Sequence, residues 1–213
     1  DGTESNHEDV VIENCMFQYC QVELYRGKRV VFRKNVMQDA IDTSYLSILT
    51  DSNTTLGTVE DYIISDNIFS YSQTALTNAN GPDAGAIRIG IEPVTASNAN
   101  FKNFVVSNNL IHYKAGPAGI VMGGLLFGTG NSTAVTSNVN FYNFVIANNH
   151  IIYDSGTTIS GFGAFLANSS DAATITFNNF NIRKNFIRGP ATSGTERLDP
   201  RQVIESTVSN NYV

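Results

Sequence analysis

The sequence predicts an all-β fold, a right-handed parallel β-helix (solenoid) of about seven coils with an internal asparagine ladder, and three observations predict it. A six-residue pattern recurs along the 213 residues: apolar, two polar, Asn or Cys, apolar, apolar. Its fourth place is Asn in six of the seven copies. On its N-terminal side apolar and polar residues alternate, which is the period of a strand and not of a helix.

The first copies read Ile12-Glu13-Asn14-Cys15-Met16-Phe17, Phe32-Arg33-Lys34-Asn35-Val36-Met37 and Ile64-Ser65-Asp66-Asn67-Ile68-Phe69. Four more run from Val106 to Ile111, Ile146 to Ile151, Ile182 to Ile187 and Val208 to Val213. The ladder is therefore Cys15, Asn35, Asn67, Asn109, Asn149, Asn185 and Asn211. A repeat of short strand-like units is the mark of a solenoid. Asn suits the turn because it tolerates left-handed backbone and because its amide can bond the Asn of adjacent coils.

Parity gives the interior. Five before the ladder stand Val10, Val30, Tyr62, Phe104, Phe144, Phe180 and Ser206, and three before it Ile12, Phe32, Ile64, Val106, Ile146, Ile182 and Val208. Both series are expected inward. The residue two before the ladder is Glu13, Arg33, Ser65, Ser107, Ala147, Arg183 or Ser209 and is expected outward. A later strand in each coil carries Val22 and Leu24, Leu46 and Ile48, Ile87 and Ile89, Ile120 and Met122, and then a segment from Phe162 to Leu166. Residues 51–60, 92–102, 126–141 and 167–178, rich in Asn, Ser, Thr and Ala, are expected to be loops on this scaffold.

All of residues 1–213 is expected to form one domain, since all-β folds of this length commonly stay single. Seven coils at about 4.8 Å make a rod of roughly 30 Å. No polar cap or covering helix is visible at either end, which points to a fragment of a larger chain or to capping by partner segments. Thirteen basic residues against nineteen acidic ones argue against nucleic acid as a partner. No apolar run is long enough to span a membrane. Cys15 and Cys20 form neither a CxxC pair nor a zinc pattern, and their oxidation state is open. His7, His112 and His150 are dispersed, so no metal and no cofactor is expected. Sequons at Asn53, Asn131 and Asn168 are what chance gives in a chain this rich in Asn, Ser and Thr.

The stretches Val10 to Phe17 and Phe104-Val105-Val106-Ser107-Asn108-Asn109-Leu110-Ile111 resemble coils of the pectin-lyase-like β-helix superfamily. In character they are closest to the shafts of viral tailspikes and polysaccharide depolymerases. The resemblance covers nearly the whole chain and implies a polysaccharide or glycan partner, an extracellular or virion-surface location, and glycoside hydrolysis or polysaccharide lysis where such a module is an enzyme. It does not transfer catalytic residues: the paired-Asp, His-Gly and Arg-Ile-Lys pattern of polygalacturonases is absent, Arg88-Ile89-Gly90 being at most a piece of it. The acidic calcium cluster of pectate lyases is absent too. A fold alone does not fix a function.

Candidate catalytic carboxylates are Asp83, Glu92 and Asp154, because glycoside hydrolysis uses two carboxyl groups about the scissile bond. The plainer reading is that each caps a Gly- or Ser-rich turn. Arg88, between inward Ile87 and Ile89, is placed outward and could hold a sugar carboxylate, or pair with a loop acid. Tyr113 and Tyr153 belong to a series four after the ladder with Tyr19 and Tyr71, broken by Asp39 and Gly189. They could stack on sugar rings, but parity favours the core. His112 and Lys114 could serve as base or charge stabiliser, and Lys114 aligns with Asp154 as an ion pair. The reading that competes with carbohydrate recognition is a structural or adhesive spacer. An outward stripe four before the ladder, Val11, Val31, Ile63, Val105 and Val145, argues for self-association, as a homotrimer by likeness to viral spikes and equally as a dimer by the stripe alone, the competing reading being that one of the long excursions folds back over it.

Overall fold

The computed structural model describes residues 7–40, 44–50, 57–72, 83–91, 98–114, 121–129, 138–154, 161–168, 174–188 and 206–209. Among these there are strands and turns and no helix. A first sheet holds β1 (His7–Glu13), β4 (Gly27–Arg33), β7 (Gly57–Ser65), β10 (Asn98–Ser107), β13 (Asn138–Ala147), β16 (Thr174–Arg183) and β18 (Ser206–Ser209) in that order. A second holds β2 (Met16–Gln18), β5 (Val36–Gln38), β8 (Ile68–Tyr71), β11 (Leu110–Tyr113), β14 (His150–Tyr153) and β17 (Phe186–Arg188). The third holds β3 (Val22–Tyr25), β6 (Ser44–Thr50), β9 (Asp83–Ile91), β12 (Val121–Thr129) and β15 (Gly161–Asn168). All pairs are parallel, and each strand's neighbours are the equivalent strands one coil away, consistent with a parallel β-helix.

The ladder runs where the first sheet turns into the second. Asn35, Asn67, Asn109, Asn149 and Asn185 are at most 1% exposed. Each Oδ1 accepts the backbone N–H of the preceding rung, from Cys15 to Asn35 (3.0 Å) through Asn149 to Asn185 (3.0 Å). Each Nδ2 donates to the carbonyl three before the preceding rung, Asn109 to Ile64 at 3.0 Å for example. From Asn67 to Asn149 it also donates to the next Oδ1. Buried amides are thus satisfied along the stack, as a dry interior requires. Asn211 lies outside the described residues.

The left-handed residue of this turn is not the ladder Asn but the one before it: Asn14, Lys34, Asp66, Asn108, Asn148 and Lys184 all have φ between 54° and 58°. The two properties of Asn named from the sequence are therefore divided between neighbouring positions. A second left-handed column stands six before the ladder, at Asp9, Arg29, Asp61, Asn103, Asn143 and Asn179. The ladder of backbone pairs passes over it, joining Lys102 to Tyr142 and Phe104 to Phe144. This column is a left-handed kink repeated in each of these strands at one-to-one register, and it inverts parity, so that Phe101 and Phe104, three apart, both point inward. Much of what composition marks as loop is strand: Gly57 to Glu60, Asn98 to Lys102, Asn138 to Phe141 and Thr174 to Asn178 belong to the first sheet, where the inverted parity hides them, and Leu126 to Thr129 and Ala167 to Asn168 belong to the third.

The core follows from the two inward series. Tyr62, Phe104, Phe144 and Phe180 stack face to face with centroids 4.6–4.8 Å apart, and Phe101, Phe141 and Phe177 form a second stack at 5.1–5.2 Å. Phe127 meets both stacks edge-on from the third sheet. In that sheet Leu125 and Phe127 align with Ile87 and Ile89. The sequence had set Ile120 and Met122 there, five residues early, because the run from Ile120 to Phe127 is apolar almost throughout and period two cannot fix its frame.

Candidate functional site

The second sheet's strands are three or four residues long, and its outward side chains fall in columns one and three after the ladder. At the fourth coil the outer column holds His112, flanked in register by Ser70 and Ile152, with Arg188 beyond Ile152. Asp154 follows β14, its backbone N–H fixed on the Tyr113 carbonyl at 2.9 Å. Its carboxylate then reaches both neighbouring coils: Oδ2 lies 3.0 Å from His112 Nε2 and Oδ1 accepts from Arg188 Nη2 at 3.3 Å. The group is partly open, with His112 and Asp154 half-buried and Arg188 exposed.

When Nε2 carries the imidazole proton, the bond to Asp154 holds the ring in one orientation and leaves Nδ1 as an acceptor. Lys114 is exposed beside this group, its backbone N–H on the Tyr71 carbonyl at 2.8 Å. Asp154 pairs with His112 and Arg188 rather than with Lys114. With one carboxylate bonded to an imidazole and a guanidinium, and Lys114 exposed on the adjoining coil, the face suits a ligand that brings hydroxyls and anionic oxygens. Sequence reading had named His112, Lys114 and Asp154. It missed Arg188, which aligning the column three after the ladder places beyond His112 and Ile152.

The other named residues lie elsewhere. Tyr113 and Tyr153 are each 2% exposed, in a column of rings with Tyr71 whose neighbouring centroids are 6.3–6.4 Å apart, so no ring face meets solvent. Burial pushes the Tyr153 hydroxyl up to about 12 and raises that of Tyr113 still further. Arg88 is half-buried on the outside of the third sheet, in register with Ser47 and Leu126. Ser47 and Leu49 share that outward parity yet are at most 1% exposed, so the outer face of β6 is covered. Asp83 opens β9 opposite Val121, its side chain outside the described residues, as is the whole of Glu92. No group of three or more His, Cys, Asp or Glu among the described residues could hold a metal ion. No described helix is long and apolar enough to cross a membrane.

Comparison of the chain with family models, with curated proteins and with solved structures returned no match.

Proposed function

We propose that the chain is a polysaccharide-recognising module of the tailspike or extracellular carbohydrate-active type, a right-handed β-helix of about seven coils that assembles as a homotrimer at a cell or virion surface. Right-handedness is the hand that parallel crossovers take almost without exception. The observation that carries the carbohydrate reading is the group of His112, Asp154, Arg188 and Lys114 on the outside of a rigid sheet, donors and acceptors fixed by backbone pairing rather than by loops. Asp154 orients His112 as a base is oriented in acid–base catalysis, which gives the reading a degrading form as hydrolase or lyase.

A spacer without catalysis is the second reading. It is favoured by Asp154, whose two oxygens are both engaged, and by the inward tyrosines, which leave no stacking platform at this face.

Binding to a panel of acidic and neutral bacterial polysaccharides, with reducing ends and unsaturated products followed in parallel, tests both. Carbohydrate recognition predicts binding that Arg188→Ala weakens about tenfold while the circular dichroism spectrum is unchanged. Absence of binding across the panel would leave the spacer reading.

A further inference from the structure

The tyrosines face inward, but the second sheet does carry aromatic rings on its outer side, one column nearer the ladder. Phe186 (39% exposed) and His150 each follow a ladder asparagine and stand outward beside buried Ile187 and Ile151. Register sets them in adjacent coils, and their ring centroids are 5.6 Å apart. Phe186 and Arg188 are alternate residues of β17, so the exposed ring and the guanidinium share one face about 7 Å apart. On the other side of Asn185 stand exposed Arg183, which ends β16, and exposed Lys184, the left-handed turn residue after it. One phenyl ring is thus bracketed by three cations within a single coil.

Charge here is unlike that of the chain as a whole, in which nineteen acidic residues outnumber thirteen basic ones. From Asn98 onward the described residues hold one acid, Asp154, against Lys102, Lys114, Arg183, Lys184 and Arg188. Arg183 and Lys184 make no ion pair with a described acid. Arg188 gives Asp154 one N–H and keeps the rest of its donors. Turn geometry does not call for Lys184: asparagine fills that place in the two preceding coils, at Asn108 and Asn148, and suits left-handed backbone better.

We infer that Phe186, with His150, is a stacking subsite, and that it takes a pyranose ring bearing a carboxylate or sulfate held by Arg188 on one side and by Arg183 and Lys184 on the other. The inference rests on the carbohydrate part of the proposed function and not on self-association. A sugar ring offers a C–H face to an aromatic ring and keeps its polar groups at the edge, where a cationic rim selects an anionic substituent. A neutral glycan would use the ring alone, and a ring-free polyanion the cations alone. Nucleic acid is disfavoured by the net charge of -6.

Four polymers separate these cases: dextran sulfate and alginate as anionic glycans, dextran as the neutral control and polyacrylate as the anion without rings. The parent chain is expected to bind at least one anionic glycan more tightly than either control. Phe186→Ala should weaken that binding about tenfold and leave polyacrylate unchanged, whereas Phe186→Trp retains it. Lys184→Gln should weaken the glycan and flatten its salt dependence, with the circular dichroism spectrum of each variant unchanged. Failure of both anionic glycans to bind overturns the inference, as does glycan affinity unmoved by Phe186→Ala or single-stranded DNA bound as tightly as dextran sulfate. Dextran binding that none of these variants moves would remove this subsite and leave carbohydrate recognition standing; that broader reading falls only with the bacterial polysaccharide panel.

Discussion

At the scale of single residues the ladder separates two demands that one residue type could have met together. Asn109 supplies hydrogen bonds: its amide donates to Ile64 O and to Asn149 Oδ1, and its oxygen accepts from Asn67. Its neighbour Asn108 supplies the left-handed turn at φ 56°. Asn109→Leu keeps the backbone region accessible but strands the Asn67 N–H and the Ile64 carbonyl without partners. A loss of about 1–3 kcal/mol in urea unfolding is expected; no loss would show the ladder to be decorative. The turn position behaves oppositely. Lys34 and Lys184 adopt φ 54° with a β-carbon that disfavours it and no local amide to compensate. Lys34→Gly should therefore stabilise by about 0.5–1 kcal/mol, measured as a raised denaturation midpoint at unchanged m-value. This division was half legible: the sequence shows that Asn recurs, but only φ angles show which of two adjacent polar residues bends the chain.

Among elements, what the sequence disclosed is what period two can carry. The strands that end at the ladder and the inward pairs Leu46/Ile48 and Ile87/Ile89 fell out of parity; the second sheet did not, because its strands of three or four residues are too short for parity to single them out as a further element. The N-terminal halves of the first sheet's long strands did not, because the left-handed kink at Asn103, Asn143 and Asn179 shifts the frame by one. The same column makes an exposed chain of three amides, Asn179 donating to Asn143 and Asn143 to Asn103, that ends with Asn103 donating to the Asp61 carboxylate, each link 2.9 Å. The site was legible as residue types and not as contacts, since Arg188, His112 and Asp154 are far apart in sequence and meet only through register. Packing between elements is equally silent in the sequence at Gly27, where a β-carbon would overlap the Tyr62 hydroxyl and crowd Val30. That hydroxyl lies buried against β4, beside the Gly27 backbone. Gly27→Ala is expected to cost about 1–3 kcal/mol by overpacking, and Tyr62→Phe in the same chain should recover part of it, because the closest clashing atom is gone while Val30 must still shift. A double-mutant cycle with no coupling would show that the two strands simply part.

For the whole molecule, the tyrosines tie stability to pH from the second coil to the fifth. Tyr45, Tyr62, Tyr71, Tyr113 and Tyr153 are all buried. Tyr45 takes the place in the interior that the rings of Tyr71 and Tyr113 take in later coils, where the third sheet offers only Ala86 and Gly124 opposite; in its own coil the matching position is Asp39, and Tyr45 packs edge-on against Phe69 and Tyr71. Burial raises every one of these hydroxyls, those of Tyr71 and Tyr153 to about 12 and the other three further. An unfolded chain releases the same protons near pH 10. Between those values the unfolded state has lost protons that the folded state keeps, so raising the pH draws the equilibrium toward unfolding. The contribution is therefore complete below about pH 10 and declines as pH climbs through about 12. Urea midpoints should hold level up to about pH 10 and then fall steeply, and tyrosinate absorbance should rise in one step with the loss of sheet signal. A gradual rise in absorbance with the circular dichroism spectrum intact would mean that these rings reach solvent in the folded chain, and that the stacked interior described from Tyr45 to Tyr153 is not closed.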